Sequence, residues 1–413
     1  MNSGGRVSLL TRGLLLWLAA TPVCRAAWDF TAPGEPSRNW SVSLNNGVQY
    51  DDNFNGTETD RQAGIQYTSD LTLRAKFPWE RAFVAGQYDY GIIYPENNTL
   101  GGVEQTHNLN LSVNFSVNPR LLLSVTENFI DSVQPQLVQT AAGVPPTVII
   151  AGAYIYDNVG ASVSYSLAPR WSMSVAGSWD IWKYGEALYA TNNNHEDYSS
   201  TLSLYYSIDP RTIVGVNYQY AGDIYTNPGF KNGLNASSNT GYLSLTHQFN
   251  PKLTLVLNGG YTVRDSEDGT TSTAPSAFGS LAYNYGPKDT ISLVGAESLN
   301  SSGIGYNQGF TAEENESVAL QVNHRFTARL YTVVEATYVH SAFTAEVLDQ
   351  FLVPKNVTPT EDSITAHWGI RYDFRQWLSA GVDYYYTKLT SSEVVFASPY
   401  YRDQIGVSLT LTY

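Results

Sequence analysis

The stretch LYYSIDPRTIVGVNYQY, residues 204–220, holds two alternating runs around Asp209-Pro210-Arg211. Successive side chains of a strand point to opposite faces. Leu204, Tyr206 and Ile208 therefore share one face, and after the turn Val214, Val216, Tyr218 and Tyr220 share one. Their alternates are Tyr205, Ser207, Ile213, Gly215, Asn217 and Gln219. The stretch reads as a hairpin with a mostly apolar face and a mostly small or polar face.

The turn recurs along the chain. Its central positions are Pro78, Pro119, Pro169, Pro210, Pro251 and Pro287; Ala328 and Arg375 continue the series without proline, and the spacings are 41, 50, 41, 41, 36, 41 and 47 residues. The phase is constant. Stepping back by twos gives Val117, Phe115 and Val113, or Phe326, His324 and Val322; stepping forward gives Leu121, Leu123 and Val125, or Trp171, Met173 and Val175. The alternate positions carry Asn108, Asn110, Ser112, Asn114 and Ser116, then Ser162, Ser164 and Ser166, and finally Ser408, Thr410 and Thr412. Solenoids and propeller blades repeat near this length, but their inner strands are buried on both faces and would read as continuous apolar runs. Here one face suits hydrocarbon and the other suits water.

Each run spans about 10 to 14 residues, enough to cross a membrane at a tilt. Eight turns with two strands apiece, a first run over Asn39–Asp52 and a last over Tyr401–Tyr413 predict eighteen strands. Segments 132–153, 222–239 and 340–361 are long and rich in Gly, Asn, Pro, Thr and Ser. The fold class expected is all-β: a transmembrane antiparallel barrel with short periplasmic turns and long extracellular loops. Closure removes strand edges that lipid cannot hydrate, and a barrel this wide encloses an aqueous lumen.

Composition agrees. Of 413 residues only 15% are charged, whereas 13% are aromatic, with 30 Tyr, and amphipathic rings of this kind favour membrane interfaces. Phe77, Phe115, Tyr165, Tyr206, Phe249, Tyr283, Tyr285, Phe326, Tyr372 and Phe374 precede the turns as one belt; Tyr88, Tyr90, Phe129, Trp179, Tyr218, Tyr220, Tyr261 and Tyr384 suggest a second. Residues 1–26 read as a secretory signal, with Arg6 and Arg12 before Leu14-Leu15-Leu16-Trp17-Leu18-Ala19-Ala20 and a small-x-small site ending at Ala26. A lipoprotein box around Cys24 is the weaker match. Residues 27–38 form a short periplasmic segment and 39–413 one barrel. Cleavage removes Arg6, Arg12 and Arg25 and takes the net charge from −14 to −17, so nucleic acid is not an expected partner.

The Pro-Arg turns in SLAPRWSMSVAGSW and SIDPRTIVGVNYQY, with the ending IGVSLTLTY, resemble the outer-membrane porins of the β-barrel porin 2 type. The likeness spans nearly the whole mature chain but rests on pattern and turn chemistry, without a catalytic motif. It implies a Gram-negative outer-membrane location after Sec-dependent export. It also implies that the last strand and its final Tyr413 form the signal read by the barrel-assembly machinery, and it raises exopolysaccharide passage as a possibility.

No enzyme constellation stands out, no metal-ligand spacing links the six histidines, and no cofactor motif is present. Lumen charges are few. Phase directs Asp70, Arg74 and Lys76 inward from the second strand, and Arg325, Glu335, His367, Arg371, Asp373 and Asp383 inward from strands fourteen to seventeen. This mixed-sign patch can act as a transverse field that orients solutes, or as cross-strand ion pairs that stiffen the wall. Arg120, Arg170, Arg211, Lys252, Lys288 and Arg329 follow the turns at the periplasmic rim. They either draw anions to that mouth or are solvated turn positions. Tyr205, Tyr242, Phe278, Tyr331, Trp377 and Tyr385 share the inward phase and can stack on sugars. Glu127 and Glu297 break the outward rule, as interfacial residues toward the outer rim or as a subunit contact.

The function expected is a passive outer-membrane channel for hydrophilic solutes, saccharides included, in contact with outer-membrane lipid. The alternative is a non-conducting barrel acting as an adhesin or scaffold through its loops, with Val148-Ile149-Ile150 in a loop that folds inward.

Overall fold

The computed structural model describes residues 39–53, 58, 61–96, 103–132, 153–185, 194–226, 235–267, 269–301, 310–345, 360–392 and 399–413. The predicted signal, the segment 27–38 and Val148-Ile149-Ile150 lie outside them. The described residues form eighteen strands. The first six are β1 (Trp40–Asp51), β2 (Gly64–Pro78), β3 (Ala82–Pro95), β4 (Glu104–Asn118), β5 (Leu121–Ser132) and β6 (Tyr154–Ala168). There follow β7 (Trp171–Tyr184), β8 (His195–Asp209), β9 (Thr212–Tyr225), β10 (Ala236–Asn250), β11 (Leu253–Ser266) and β12 (Thr271–Asn284). The last six are β13 (Thr290–Ser301), β14 (Phe310–Arg325), β15 (Leu330–Ala345), β16 (Thr360–Arg375), β17 (Leu378–Ser391) and β18 (Tyr400–Thr412).

Every strand pairs antiparallel with its sequence neighbours, and β1 pairs with β18 from Ser43↔Thr412 to Asp51↔Gln404, which closes the barrel. The register fixes the two faces. Leu44, Leu71, Leu411 and Leu409 meet on the outside, while Asn45, Asp70 and Thr410 meet on the inside. Both aromatic belts fall on the outer face, with Phe326 and Trp179 each 56% exposed.

The repeated turn has a local cause. Asn118, Asp209 and Asn250 accept a hydrogen bond from the backbone N–H two residues on, at 2.8, 2.7 and 2.8 Å, and the Thr327 hydroxyl does the same at 3.2 Å. These are the Asx and ST turns that Asn, Asp and Thr favour. A bulge at Ser116/Asn118, Ser166/Ala168, Ser207/Asp209, Gln248/Asn250 and Asp373/Arg375 precedes five of the turns. The bulge tightens the local twist as the chain reverses.

Three expectations need correction. Strands run 12 to 16 residues and extend into segments read as loops: β9 and β10 pair as far as Asp223↔Ala236, and β15 and β16 as far as Ala342↔Thr360. Pairing outlasts the apolar band where the outward residues are themselves polar, as in the His340–Asp362 pair, and so require no lipid outside. The outer connection from Ser266 to Thr271 is as short as a periplasmic one, turning at Gly269, whose φ of 91° suits glycine. Trp377 sits in the β16–β17 turn, 56% exposed, and does not point into the lumen from a strand.

Candidate functional site: the lumenal wall

The register turns all nine predicted lumen charges inward, and the barrel's closure brings the two groups onto one wall. On β15, β16 and β17 the imidazole of His367 lies between two acids, with Nε2 at 3.0 Å from Asp383 Oδ1 and Nδ1 at 3.6 Å from Glu335 Oε2. Gln321 Nε2 donates to the other oxygen of Glu335 at 2.9 Å, and the Tyr385 ring stacks on His367 at 4.4 Å with planes 7° apart. Toward the periplasm, buried Asp373 is surrounded by the charges of Arg325, Arg371 and Lys288, and the Arg325 guanidinium lies 5.7 Å from the Tyr331 ring centroid.

The β2 group continues this wall across the seam. Thr410 donates to Asn45 at 2.9 Å, and Asn45 donates to Asp70 at 3.3 Å. Thr72 and Gln87 each donate to Asp89 at 2.6 Å, and Arg74 Nε donates to Gln87 at 3.0 Å. The charges are thus tied to neighbours, the bonding expected of a stiffened wall, while their remaining surface faces the lumen. Asp89 and Gln87 were missed in the sequence, although the parity of β3 that turns Tyr88 and Tyr90 outward turns both inward.

Inward glycines let these side chains lie flat. A Cβ on Gly369 would come within 2.8 Å of Asp383 Oδ1, and one on Gly91 within 3.0 Å of Asp70 Oδ1. Tyr205 lies against Gly215 in the same way, where a Cβ would meet its ring at 2.5 Å, and is only 7% exposed. Tyr331 is buried as well. These two rings therefore do not offer free faces for a sugar.

Across the lumen the wall is built differently. Tyr154, Tyr156 and Trp182 form a buried cluster, 1%, 5% and 3% exposed, packed by Ile130 and Tyr184. Trp182 stacks on His195 at 5.8 Å, and His195 on Tyr225 at 5.0 Å, so a ring ladder crosses four strands. Asp180 anchors it, accepting from the Tyr156 hydroxyl at 2.9 Å. Sequence reasoning missed the ladder because it lies at the outer ends of β6 to β9, beyond the second aromatic belt. The parity that turns Ser162 and Ser164 inward also turns Tyr154 and Tyr156 inward.

A closed, two-faced barrel is a fold, and comparison with known proteins supplies the family. The model described as "Putative beta-barrel porin 2" matches residues 41–413. The chain belongs to that family. No curated protein matches the sequence. Among solved structures, OpdK of Pseudomonas aeruginosa, solved with vanillate, is 14% identical with a TM-score of 0.45, covering 91% of this chain and 99% of that one. OccAB4 of Acinetobacter baumannii is 11% identical with a TM-score of 0.43, covering 91% and 98%. The siderophore receptor PirA of Pseudomonas aeruginosa is 10% identical with a TM-score of 0.45, covering 92% and 81%.

As a β-barrel porin 2 chain, the protein is a porin-like outer-membrane barrel. At its periplasmic rim two of the six predicted basic residues lean sideways: Arg170 Nη1 reaches the Tyr206 hydroxyl at 3.5 Å, and Lys252 Nζ donates to the Tyr285 carbonyl at 3.2 Å. The backbone carbonyls of Arg120, Arg170, Arg211, Lys252 and Arg329 accept bonds from the adjoining hairpin. These turn positions are structural, whatever their charge does. On the outer face, Glu297 pairs with Glu316, which pairs in turn with His340, whose ring holds Asp362 at 2.8 Å. That acid belongs to a polar stretch. Glu127, in contrast, stands near the middle of β5 between Leu111 and Val159, nearer the apolar band than the rim.

Among the described residues no group of three His, Cys, Asp or Glu is placed to hold a metal ion.

Proposed function

We propose that this barrel is a passive channel for hydrophilic solutes, saccharides among them, and that it is not an enzyme. The observation that carries the reading is the lumenal wall itself: from β14 through the seam to β3 it is lined by charged and amide side chains laid flat beside inward glycines. Such a surface replaces part of the hydration of a passing solute. On this reading Asp70, Arg74, Lys76, Glu335, His367, Arg371, Asp373, Asp383 and Arg325 set selectivity. Residues 1–26 direct Sec-dependent export, and the C-terminal strand directs assembly. Tyr413 exchanges backbone hydrogen bonds with Val42 at 3.0 and 2.8 Å, and its ring lies 5.7 Å from that of Trp40.

The crowding of inward side chains at the outer end favours a second reading, a non-conducting scaffold working through its loops. Tyr154 and Phe343 are each 1% exposed there. Single-channel recording in planar bilayers separates the two. The channel gives steady open currents and passes small sugars in liposome swelling; a folded barrel, recognised by its heat-modifiable migration, that stays silent in both assays belongs to the scaffold.

A further inference from the structure

The inward charges are sorted along the barrel axis. Counted from the periplasmic end of each strand, the first few inward positions carry Arg74, Lys76, Arg325 and Arg371 against one acid, Asp373. The turns just beyond add the six basic residues of the rim, against Glu80, Asp209 and Asp289. At mid-height the sign reverses, with Asp70, Asp89, Glu335 and Asp383 around a single His367. At the outer end two ion pairs cancel internally: Arg402 with Asp51, and Arg264 with Asp223 at 2.6 Å. In the same outer zone stand Glu104, Asp197 with His195, Asp180 in register with Asp197, and the buried Glu313 and Glu361. Even without that buried pair of acids, the outer two thirds of the described lumen are net acidic and the periplasmic third is net basic.

From this sorting, and resting on the channel reading, we propose that the lumen is an electrically polar pore that rectifies: its outer part gathers cations and its periplasmic collar gathers anions. Fixed charge in a cleft with low-dielectric walls concentrates counter-ions locally. With the extracellular side positive, cations enter through the acidic zone and anions through the basic collar, so both accumulate in the pore and the current is large. With the sign reversed both ions are drawn out of the zones that hold them, the junction is depleted, and the current is small. Zwitterionic solutes then enter from outside with the cationic end leading.

The test is single-channel recording in potassium chloride with orientation known. A Cys24→Ala, Ala328→Cys chain carries one thiol, in the exposed β14–β15 turn, so biotinylation and streptavidin added to one chamber report which side is periplasmic. The expected result at 0.1 M salt, where the Debye length is about 10 Å, is a larger current with the extracellular chamber positive. At 1 M, where it is about 3 Å, the asymmetry fades. Arg74→Glu with Lys76→Glu, or Arg371→Glu in case that pair fails to fold, abolishes or inverts it. Symmetric currents from oriented channels at 0.1 M, or asymmetry unchanged in a folded collar variant, overturn the inference and leave the channel reading standing. A folded barrel with no current in either direction overturns both.

Discussion

Two walls of one lumen solve the same problem in opposite ways. The seam wall, from β14 round to β3, carries charge and keeps it flat: Asp383 lies beside Gly369, Asp70 beside Gly91, and each is held by a neighbouring strand. The far wall, over β6 to β9, carries rings and packs them inward into the cluster of Tyr154, Tyr156 and Trp182. Both walls tie inward polar groups across neighbouring strands, Asp383 to His367 on one and Asp180 to the Tyr156 hydroxyl on the other. They differ in what remains for a solute. The seam wall leaves charge beside open space, and the far wall encloses its apolar surface.

If the far wall is a small core, it has the energetics of one. Trp182→Ala removes its centre, and buried aromatic truncations of this kind cost about 3–5 kcal/mol. The expected outcome is a lower urea midpoint for the folded, heat-modifiable species, the largest loss among these variants. An unchanged midpoint would mean that the rings are lining and not core, and the contrast between the walls would break.

On the seam wall the corresponding anchor is the pair that closes the barrel. Asp51 is fully buried, and Arg402 Nε and Gln404 Nε2 donate to it at 2.8 and 2.9 Å. Arg402→Ala leaves that carboxylate with only the neutral donors Gln404 Nε2 and the Asn53 N–H; removing one partner of a buried pair costs several kcal/mol, here about 3 because Arg402 is partly exposed. Methionine at 402, with Asp51→Leu, should recover much of the loss. Recovery in the urea midpoint would locate the cost in the orphaned charge and not in the closure itself.

Gly369→Ala sharpens the comparison at the level of one methyl group. The new Cβ would press on Asp383 Oδ1 and lift it from His367. Overpacking of this kind costs about 1–3 kcal/mol, toward the lower end where a side chain can yield. The expected result is a modest midpoint shift together with a changed ion preference in reversal potentials. The matched change on the far wall, Gly215→Ala, meets the Tyr205 ring at 2.5 Å. It should affect stability more and ion preference less.

Period-two alternation and the recurring Pro-Arg turn made the barrel, its strand number and the inward charges legible in the sequence, because lipid and water impose opposite demands on alternate residues. Parity alone placed Asp70, His367 and Asp383 inside. What parity does not carry is lateral reach. That Arg170 turns toward Tyr206, or that Tyr205 lies down on Gly215, depends on which residue the neighbouring strand offers at the diagonal position. The ring ladder escaped for another reason: Tyr154 and Trp182 lie above the band where an apolar outer face marks a strand.

The turns offer the smallest and cleanest contrast, since they serve both walls alike. Asp209 accepts from the Arg211 N–H at 2.7 Å and from the Thr212 hydroxyl at 3.0 Å. Asp209→Ala removes both, and because these bonds are exposed to water the expected outcome is a small lowering of the urea midpoint, the least of these variants. Asp209→Asn, which keeps the accepting oxygen as Asn118 and Asn250 already do, should lie close to the parent. Were the asparagine variant as weak as the alanine one, the carboxylate charge would be holding the turn, and the Asx geometry shared along the repeat would not be what reverses the chain.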